Sequence, residues 1–210
     1  MKRIKHRESI WEFPFIEYSP DKREGKLPLI VQLHGAGERG TGADDLNLVE
    51  IHGFPKYLAA EPREDAVVIF PQCPKESFWA ARIESVLRFI DRLIEEYDID
   101  PDRVYLTGLS MGGFGTWFCS MAAPQKFAAI APMCGGGMGW NAHVLRMPVW
   151  AFHGTADPAV DVFYSDDMVK KLEASGGNVK YTRLEGVSHN CWAQSYNREL
   201  FDWLLAQKRQ

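Results

Sequence analysis

The chain has 210 residues, of which 46% are hydrophobic and 25% are charged, a composition typical of a globular protein. This length predicts a single domain over residues 1–210, with room for a complete hydrophobic core. The formal net charge is −4 and no basic run extends beyond Arg7, which argues against a nucleic-acid partner.

The first third of the chain predicts strands at three places. Residues 1–26 predict an N-terminal edge strand or hairpin, with the strand itself over residues 10–18. Residues 29–33, Leu-Ile-Val-Gln-Leu, predict a buried strand that leads into a glycine-rich loop beginning at His34. Residues 66–70 predict another buried strand, which ends at Pro71.

The rest of the chain alternates between predicted helices and strands. Helices are predicted over residues 86–97, directly after Ser110, around residues 169–172 and around residues 200–204. Strands are predicted over residues 103–107, 128–133, 147–152 and 179–184. This alternation predicts an α/β fold, with a mostly parallel central sheet flanked by helices on both faces. Because only residues 134–146 separate two of these strands, no sizeable lid is expected.

A Gly-x-Ser-x-Gly sequence at residues 108–112 lies between a predicted strand and a predicted helix. Such a turn is too tight for side chains at its flanking positions, so glycine is used there. The serine between them is exposed at the carboxyl end of the sheet. The pattern is typical of a nucleophile elbow and predicts that Ser110 is a nucleophile.

A nucleophilic serine needs a base that an acid holds in place, and in this architecture the order along the chain is serine, acid, histidine. The histidines that follow Ser110 are His143, His153 and His189. Asp157 lies in a polar turn directly after the strand predicted over residues 147–152, where the acid is expected. His189 is then the only histidine left downstream and is the predicted base. Asp161 and Glu185 remain alternative acids.

Backbone N–H groups are expected to stabilise the oxyanion that forms during acyl transfer. One is the N–H of Met111, the residue after the nucleophile, at a helix amino terminus. The other is the N–H of Ala36 in the glycine-rich loop, with that of Gly37 as the alternative. His34 and His153 each precede a glycine and are expected to pack and hydrogen-bond beneath the site.

Four motifs occur in this order along the chain: His34-Gly35-Ala36-Gly37, Gly108-Leu109-Ser110-Met111-Gly112-Gly113, His153-Gly154-Thr155-Ala156-Asp157 and Ser188-His189. With these motifs the chain resembles the α/β-hydrolase superfamily. Within it the chain is similar to the phospholipase/carboxylesterase, dienelactone-hydrolase-like and polyhydroxybutyrate-depolymerase/feruloyl-esterase-like esterases, and most similar to the bacterial branch labelled predicted esterase or peptidase. The resemblance implies an α/β-hydrolase fold, a Ser-Asp-His triad, no cofactor and hydrolysis of an acyl bond.

Two departures from the family pattern affect these expectations. Dienelactone hydrolases use a cysteine nucleophile where this chain has Ser110, which argues against that activity. The family's acid loop often continues to Val-Pro, whereas here Val160 is followed by Asp161, which keeps Asp161 open as the acid.

The expected activity is that of a serine carboxylesterase, which hydrolyses small soluble carboxylic esters through an acyl-enzyme intermediate. Trp79, Trp192 and Glu38 are predicted substrate-binding residues, because aromatic walls suit an acyl, aryl or sugar-ester group. Trp140 and Arg39 are further candidates, and Glu38 and Arg39 have the alternative of pairing with each other. The alternative functions are a serine peptidase, an acyl-thioesterase and a catalytically inactive binding module.

No metal site, cofactor or membrane partner is expected. The cysteines have neither a Cys-x-x-Cys pair nor metal-ligand spacing; they are Cys73, Cys119, Cys134 and Cys191. The basic segment that starts at Met1 is not followed by the apolar region of a signal peptide, and no apolar run reaches membrane-spanning length. A cytoplasmic protein is therefore expected.

Overall fold

The computed structural model describes residues 1–8, 10–22 and 25–209. Within these ranges the strands are β1 Lys2–His6, β2 Phe15–Ser19, β3 Leu27–Leu33, β4 Val67–Pro71, β5 Ile99–Leu109, β6 Ala129–Met133, β7 Val149–Gly154 and β8 Val179–Leu184. The α-helices are α1 Phe54–Ala60, α2 Ile83–Glu96, α3 Met111–Ala122, α4 Phe163–Ala174, α5 Trp192–Ser195 and α6 Arg198–Leu205. Across the part of the chain that the structure describes, no helix combines the length and the apolarity needed to cross a lipid bilayer.

The strands form one sheet in the order β1-β2-β4-β3-β5-β6-β7-β8. The strands from β4 to β8 in this order pair in parallel, whereas β2 pairs antiparallel with both β1 and β4. The predicted mostly parallel sheet is therefore confirmed, with an antiparallel pair at one edge. Parallel strands place all their carboxyl ends along one side of the sheet, where the loops that follow β3, β5, β7 and β8 come together.

Successive residues of each strand point to opposite faces of the sheet, and both faces are covered. On one face Leu29, Val31 and Leu33 of β3 belong to a core shared with α2, α3 and α4. On the other face Ile30 belongs to a core shared with α1 and α6. Burial on both sides explains why β3, β4, β6, β7 and the second half of β5 consist mostly of apolar residues.

The N-terminal segment differs in detail from the strand predicted over residues 10–18. Strand β2 begins only at Phe15, because a turn in which Trp11 N–H donates to Glu8 O precedes it and Pro14 has no N–H to offer a ladder. Strand β1 is formed by the basic residues Lys2–His6, which pair with β2 at the edge of the sheet. Charged side chains are common on edge strands because they hinder pairing with a further chain.

The connection between β6 and β7 contains one short 3₁₀ turn, Gly139–Val144, and no α-helix. The prediction that this connection carries no sizeable lid is confirmed. The carboxyl ends of β5 and β7 are therefore not covered by an inserted helix at this position.

Candidate active site

Ser110 lies in a sharp turn between β5 and α3, with a backbone φ of 54° and ψ of −117°. Gly108 and Gly112, two residues before and two residues after Ser110, lie very close to backbone atoms of other residues. A Cβ atom on Gly108 would lie 2.3 Å from Gly112 O, and a Cβ atom on Gly112 would lie 2.0 Å from Leu33 O. Glycine is required at both positions because any side chain there would overlap backbone that cannot move. The turn thus presents the Ser110 hydroxyl at the carboxyl edge of the sheet.

The structure brings Ser110, His189 and Asp157 together in one line of hydrogen bonds. His189 Nε2 is 2.8 Å from Ser110 Oγ, and His189 Nδ1 is 2.6 Å from Asp157 Oδ2. The serine follows β5, the aspartate follows β7 and the histidine follows β8, so three loops at the same edge of the sheet supply the three groups. With Asp157 accepting from Nδ1–H, His189 presents an unprotonated Nε2 to the serine hydroxyl.

The side chain of Asp157 is completely buried and is held by the backbone of its own loop. Its Oδ1 accepts hydrogen bonds from the N–H groups of Ala159 and Val160, both at 2.9 Å. Burial alone would raise the pKa of Asp157, but the Val160 N–H and His189 outweigh it and hold that pKa below its usual value. Asp157 is therefore a carboxylate at neutral pH and can orient the imidazole.

The two alternative acids occupy other places. Asp161 Oδ1 accepts a hydrogen bond of 2.8 Å from Phe163 N–H, at the start of α4. Glu185 is exposed on the loop between β8 and His189. The structure therefore brings Asp157, rather than either alternative, to the imidazole of His189.

His153 is buried beneath the acid loop, in keeping with the expectation that it packs and hydrogen-bonds. Its Nδ1 is 2.7 Å from Ser165 Oγ, and its Nε2 is 2.9 Å from Val160 O. The same Nε2 lies 3.3 Å from Asp157 Oδ2. Burial lowers the pKa of His153, which keeps the ring neutral. The ring supports the loop that carries the aspartate.

The glycine-rich loop after β3 lies beside the nucleophile. A Cβ atom on Gly35 would lie 3.7 Å from Ser110 Cβ, and a 3₁₀ turn, Ala36–Glu38, begins at the next residue. Arg39 Nε donates a hydrogen bond of 2.8 Å to Ala36 O and fixes this turn. On the other side of the serine, Met111 is the first residue of α3, where helix N–H groups lack partners within the helix. Of the two predicted oxyanion donors, Met111 is adjacent to Ser110 in the chain, and Ala36 follows the glycine that lies beside Ser110.

Beneath this loop lies Trp79, which corrects one prediction. Its side chain is 0% exposed, and its Nε1 donates a hydrogen bond of 2.9 Å to His34 O. The side chain packs directly against Gly115, where an added Cβ atom would lie only 2.6 Å from the Cβ atom of Trp79. The prediction that Trp79 contacts substrate is wrong. The absence of a side chain at Gly115 lets the indole insert into the core, where it supports the loop from below.

His34 is the second support of the glycine-rich loop. Its Nδ1–H donates to Gly35 O at 2.6 Å, and its Nε2 accepts from Cys73 N–H at 2.9 Å. Both ring nitrogens are thus used, and the side chain is 2% exposed. This arrangement requires a neutral ring, because Nε2 needs its lone pair to accept the hydrogen bond.

Acid is expected to destabilise the protein through His34. Burial lowers the pKa of His34 from 6.5 to about 4, so between these values the unfolded chain binds this proton more tightly than the folded protein. The free energy of unfolding is then fully retained above pH 6.5 and falls by about 3 kcal/mol as the pH drops towards 4. Urea unfolding at pH 7.5 and pH 4.5 measures this change. His34→Gln should give a shallower dependence on pH, and an equal dependence in both proteins would contradict the assignment.

Trp192 and Glu38 border the site, and a third residue that sequence reasoning missed joins them. The ring of Trp192 packs edge-on against His189, with 5.1 Å between ring centroids, and its centroid lies 5.4 Å from that of the His52 ring. His52 Nε2 lies 4.0 Å from Glu38 Oε1.

Arg39 bonds to Ala36 O and Ser77 O, so the alternative that Glu38 and Arg39 pair with each other is not observed. Trp140 is 75% exposed on the 3₁₀ turn after β6.

An apolar cavity of about 380 Å³ lies beside Met111, the residue that follows Ser110. Its walls are Phe78, Ala80, Met111, Phe114 and Phe118. Phe114 and Phe118 are one turn apart on α3, and the helical spacing that predicts this helix does not by itself distinguish a core face from a cavity wall.

The donor set at the site favours hydrogen bonding over a metal centre. The ligand atoms of Cys134, Asp157 and His189 lie within 4.8 Å of one another. Burial raises the pKa of the Cys134 thiol well above its ordinary value, so the sulfur keeps its proton and is a poor ligand. A metal would also have to displace the short bond between Asp157 and His189.

A protein-family model described as phospholipase/carboxylesterase matches residues 65–198, more than half of the chain. The bifunctional acetylxylan esterase/xylanase XynS20E of Neocallimastix patriciarum is 32% identical over 157 residues, which cover 69% of this chain and 21% of that protein. Poly(3-hydroxyalkanoate) depolymerase C of Paucimonas lemoignei is 26% identical over 126 residues, which cover 57% of this chain and 30% of that protein. The chain therefore spans less than a third of either relative.

Among solved structures, the crystal structure of a thermostable esterase matches with a TM-score of 0.83 and 34% sequence identity. The match covers 99% of this chain and 63% of that one. Esterase PE8 matches with a TM-score of 0.67 over 90% of this chain, and at 19% identity this similarity concerns the fold alone.

Proposed function

The chain belongs to the phospholipase/carboxylesterase family and has the α/β-hydrolase fold, and from this premise we propose that it is a serine carboxylesterase. The reaction is hydrolysis of small soluble carboxylic esters, with Ser110 as nucleophile, His189 as general base and Asp157 as the orienting acid. The observation that carries the proposal is the unbroken line of hydrogen bonds from Ser110 Oγ through His189 to Asp157 Oδ2. This arrangement is suited to removing the proton of a serine hydroxyl.

In the first half of the reaction, Ser110 Oγ attacks the ester carbonyl carbon while His189 Nε2 takes the hydroxyl proton. The carbonyl oxygen becomes an oxyanion, and the N–H groups of Met111 and Ala36 stabilise it by hydrogen bonds. His189 then donates its proton to the leaving alcohol oxygen as the carbon–oxygen bond breaks. The acyl group remains on Ser110 as an ester.

In the second half, a water molecule replaces the alcohol. His189 Nε2 takes a proton from this water, which attacks the acyl carbon and forms a second oxyanion at the same N–H groups. His189 returns the proton to Ser110 Oγ as the acid leaves. Throughout, Asp157 keeps the imidazole in the required tautomer and stabilises the imidazolium.

The cavity beside Met111 supports a small acyl group, because its volume of about 380 Å³ is at the low end for ligand pockets. The short β6–β7 connection supports an open site that needs no lipid surface to uncover it. The names of two relatives, the bifunctional acetylxylan esterase/xylanase and the poly(3-hydroxyalkanoate) depolymerase, both include an ester hydrolysis. Small water-soluble esters are therefore the proposed substrates.

The proposal predicts turnover of p-nitrophenyl acetate and butyrate with saturation kinetics and slower turnover of the octanoate. Initial rates at rising concentration of each ester measure this order. Because no lid has to open, the rate should not jump when an ester passes its solubility limit. A folded protein that hydrolyses none of these esters would overturn the proposal. If a thioester or an amide of butyric acid is hydrolysed faster than the oxygen ester, the protein is instead a thioesterase or a peptidase.

A further inference from the structure

The proposed mechanism assigns one side of the site to the alcohol moiety of the ester. His189 must deliver its proton to the leaving oxygen, so the alcohol lies on the His189 side of Ser110. The groups on that side are Trp192, which packs against His189, and His52, which packs against Trp192. The alcohol moiety therefore leaves from a space bordered by an indole and an imidazole.

Glu38 completes this border and has an unused oxygen. Its side chain is 8% exposed, and its Oε2 accepts a hydrogen bond of 2.7 Å from Gly35 N–H. Its Oε1 faces His52 Nε2 at 4.0 Å, which is too long for a hydrogen bond, and no other described residue donates to it. Oε1 is not among the fully buried side-chain atoms, so it remains accessible to solvent. A donor group of a bound molecule can therefore reach it.

The carboxyl group of Glu38 lies near the nucleophile. A Cβ atom on Gly35 would lie 3.0 Å from Glu38 Oε2 and 3.7 Å from Ser110 Cβ, so the carboxyl group and the nucleophile lie on either side of one glycine. The route from Glu38 Oε1 to His52, Trp192 and His189 is continuous. A polar group on the alcohol moiety, only a few bonds from the scissile oxygen, can therefore reach Glu38.

We propose that Glu38, His52 and Trp192 form a subsite for an alcohol that carries a free hydroxyl group next to the esterified one, as in a 1,2-diol or a polyol. The free hydroxyl donates to Glu38 Oε1, because an ionised carboxylate only accepts hydrogen bonds. The indole of Trp192 covers the carbon skeleton of the alcohol. This inference rests on the ester hydrolysis proposed above and adds the class of alcohol that the site selects.

Two esters that differ in one hydrogen-bond donor test the subsite. 2-Hydroxyethyl butyrate has the free hydroxyl, whereas 2-methoxyethyl butyrate has an ether oxygen that accepts and cannot donate. The wild-type protein should hydrolyse the hydroxyethyl ester with a kcat/KM at least about 10-fold higher, as expected for a hydrogen bond to a charged group. A wild-type ratio near one overturns the proposal without the need of any variant.

Glu38→Gln is the variant that tests the role of the carboxylate. Gly35 N–H needs an oxygen at the Oε2 position, so the amide nitrogen takes the Oε1 position and becomes a donor. A donor can bond to a hydroxyl or an ether oxygen, so the ratio between the two esters should fall to within about threefold. Because glutamine has the shape of glutamate, the methyl group of the ether is equally accommodated in both proteins. Glu95→Gln, an exposed position on α2, is the matched control and should keep the wild-type ratio.

The outcomes separate this inference from the proposed function. Hydrolysis of p-nitrophenyl butyrate together with a ratio that is the same in wild type and Glu38→Gln overturns the subsite and leaves the esterase standing. Failure to hydrolyse any of the three esters overturns both. A ratio that is high in the wild type and in Glu95→Gln and is lost in Glu38→Gln supports the subsite.

Discussion

Replacing Ser110 by alanine is expected to lower kcat for p-nitrophenyl butyrate by about 10⁶-fold. The alanine cannot form the acyl-enzyme, and His189 is left without the hydroxyl that lies 2.8 Å from its Nε2. The fold should be unchanged, because alanine keeps the Cβ atom that the turn accommodates at a φ of 54°. The variant should still hydrolyse the ester somewhat faster than the uncatalysed reaction in water, because the N–H groups of the oxyanion site and the binding surface are still present. Initial rates at high enzyme concentration measure the loss.

Ser120→Ala is the matched control for this variant. Ser120 lies in α3, the same helix that begins after the nucleophile, and its hydroxyl donates to Thr116 O at 2.8 Å within that helix. Removing this bond leaves the carboxyl edge of the sheet untouched, so kcat should stay within about twofold of the wild type. Equal activity of wild type and Ser110→Ala would show that another group is the nucleophile and would overturn the proposed mechanism.

The sequence predicted most of the strands, and it predicted that Ser110, Asp157 and His189 follow strands of the sheet, because both predictions depend on local patterns. The strand predicted over residues 179–184 coincides with β8, and the helix predicted over residues 86–97 is α2, displaced by a few residues. Ser110, Asp157 and His189 each follow a strand of the parallel sheet, so topology alone brings them to one edge. The large separation of these three residues along the chain therefore did not prevent the prediction, because the ends of parallel strands lie at the same edge.

The lining of the site could not be predicted in the same way. Trp79 follows a strand, as a pocket residue would, but its side chain packs into the core in the space left by the missing side chain of Gly115. His52 meets Glu38 and Trp192 through loops and 3₁₀ turns, for which the sequence has no periodicity to detect. Phe78 is 54% exposed beside Met111, and exposure of a single aromatic side chain also leaves no pattern in the sequence. These contacts depend on packing between distant segments.

Replacing Asp157 by asparagine is expected to lower kcat by about 10⁴-fold while the fold is kept. The backbone explains why such a small change has so large an effect. The N–H groups of Ala159 and Val160 both donate to Oδ1, so the amide oxygen of asparagine has to occupy that position. The amide nitrogen then faces His189 Nδ1 and donates to it, which places the ring proton on Nε2. His189 can no longer accept the proton of Ser110. Initial rates on p-nitrophenyl butyrate across pH 6 to 9 measure the loss.

Asp161→Asn is the matched control, because Asp161 is the neighbouring aspartate that the sequence left as an alternative acid. Its Oδ1 accepts from Phe163 N–H at the start of α4, and the amide oxygen of asparagine can accept the same bond. Asparagine also serves well at the start of a helix, so stability should change little. This variant should therefore keep kcat within about threefold of the wild type. If Asp161→Asn loses activity and Asp157→Asn retains it, the acid has been assigned to the wrong residue, and the hydrogen bond between Asp157 and His189 is structural rather than catalytic.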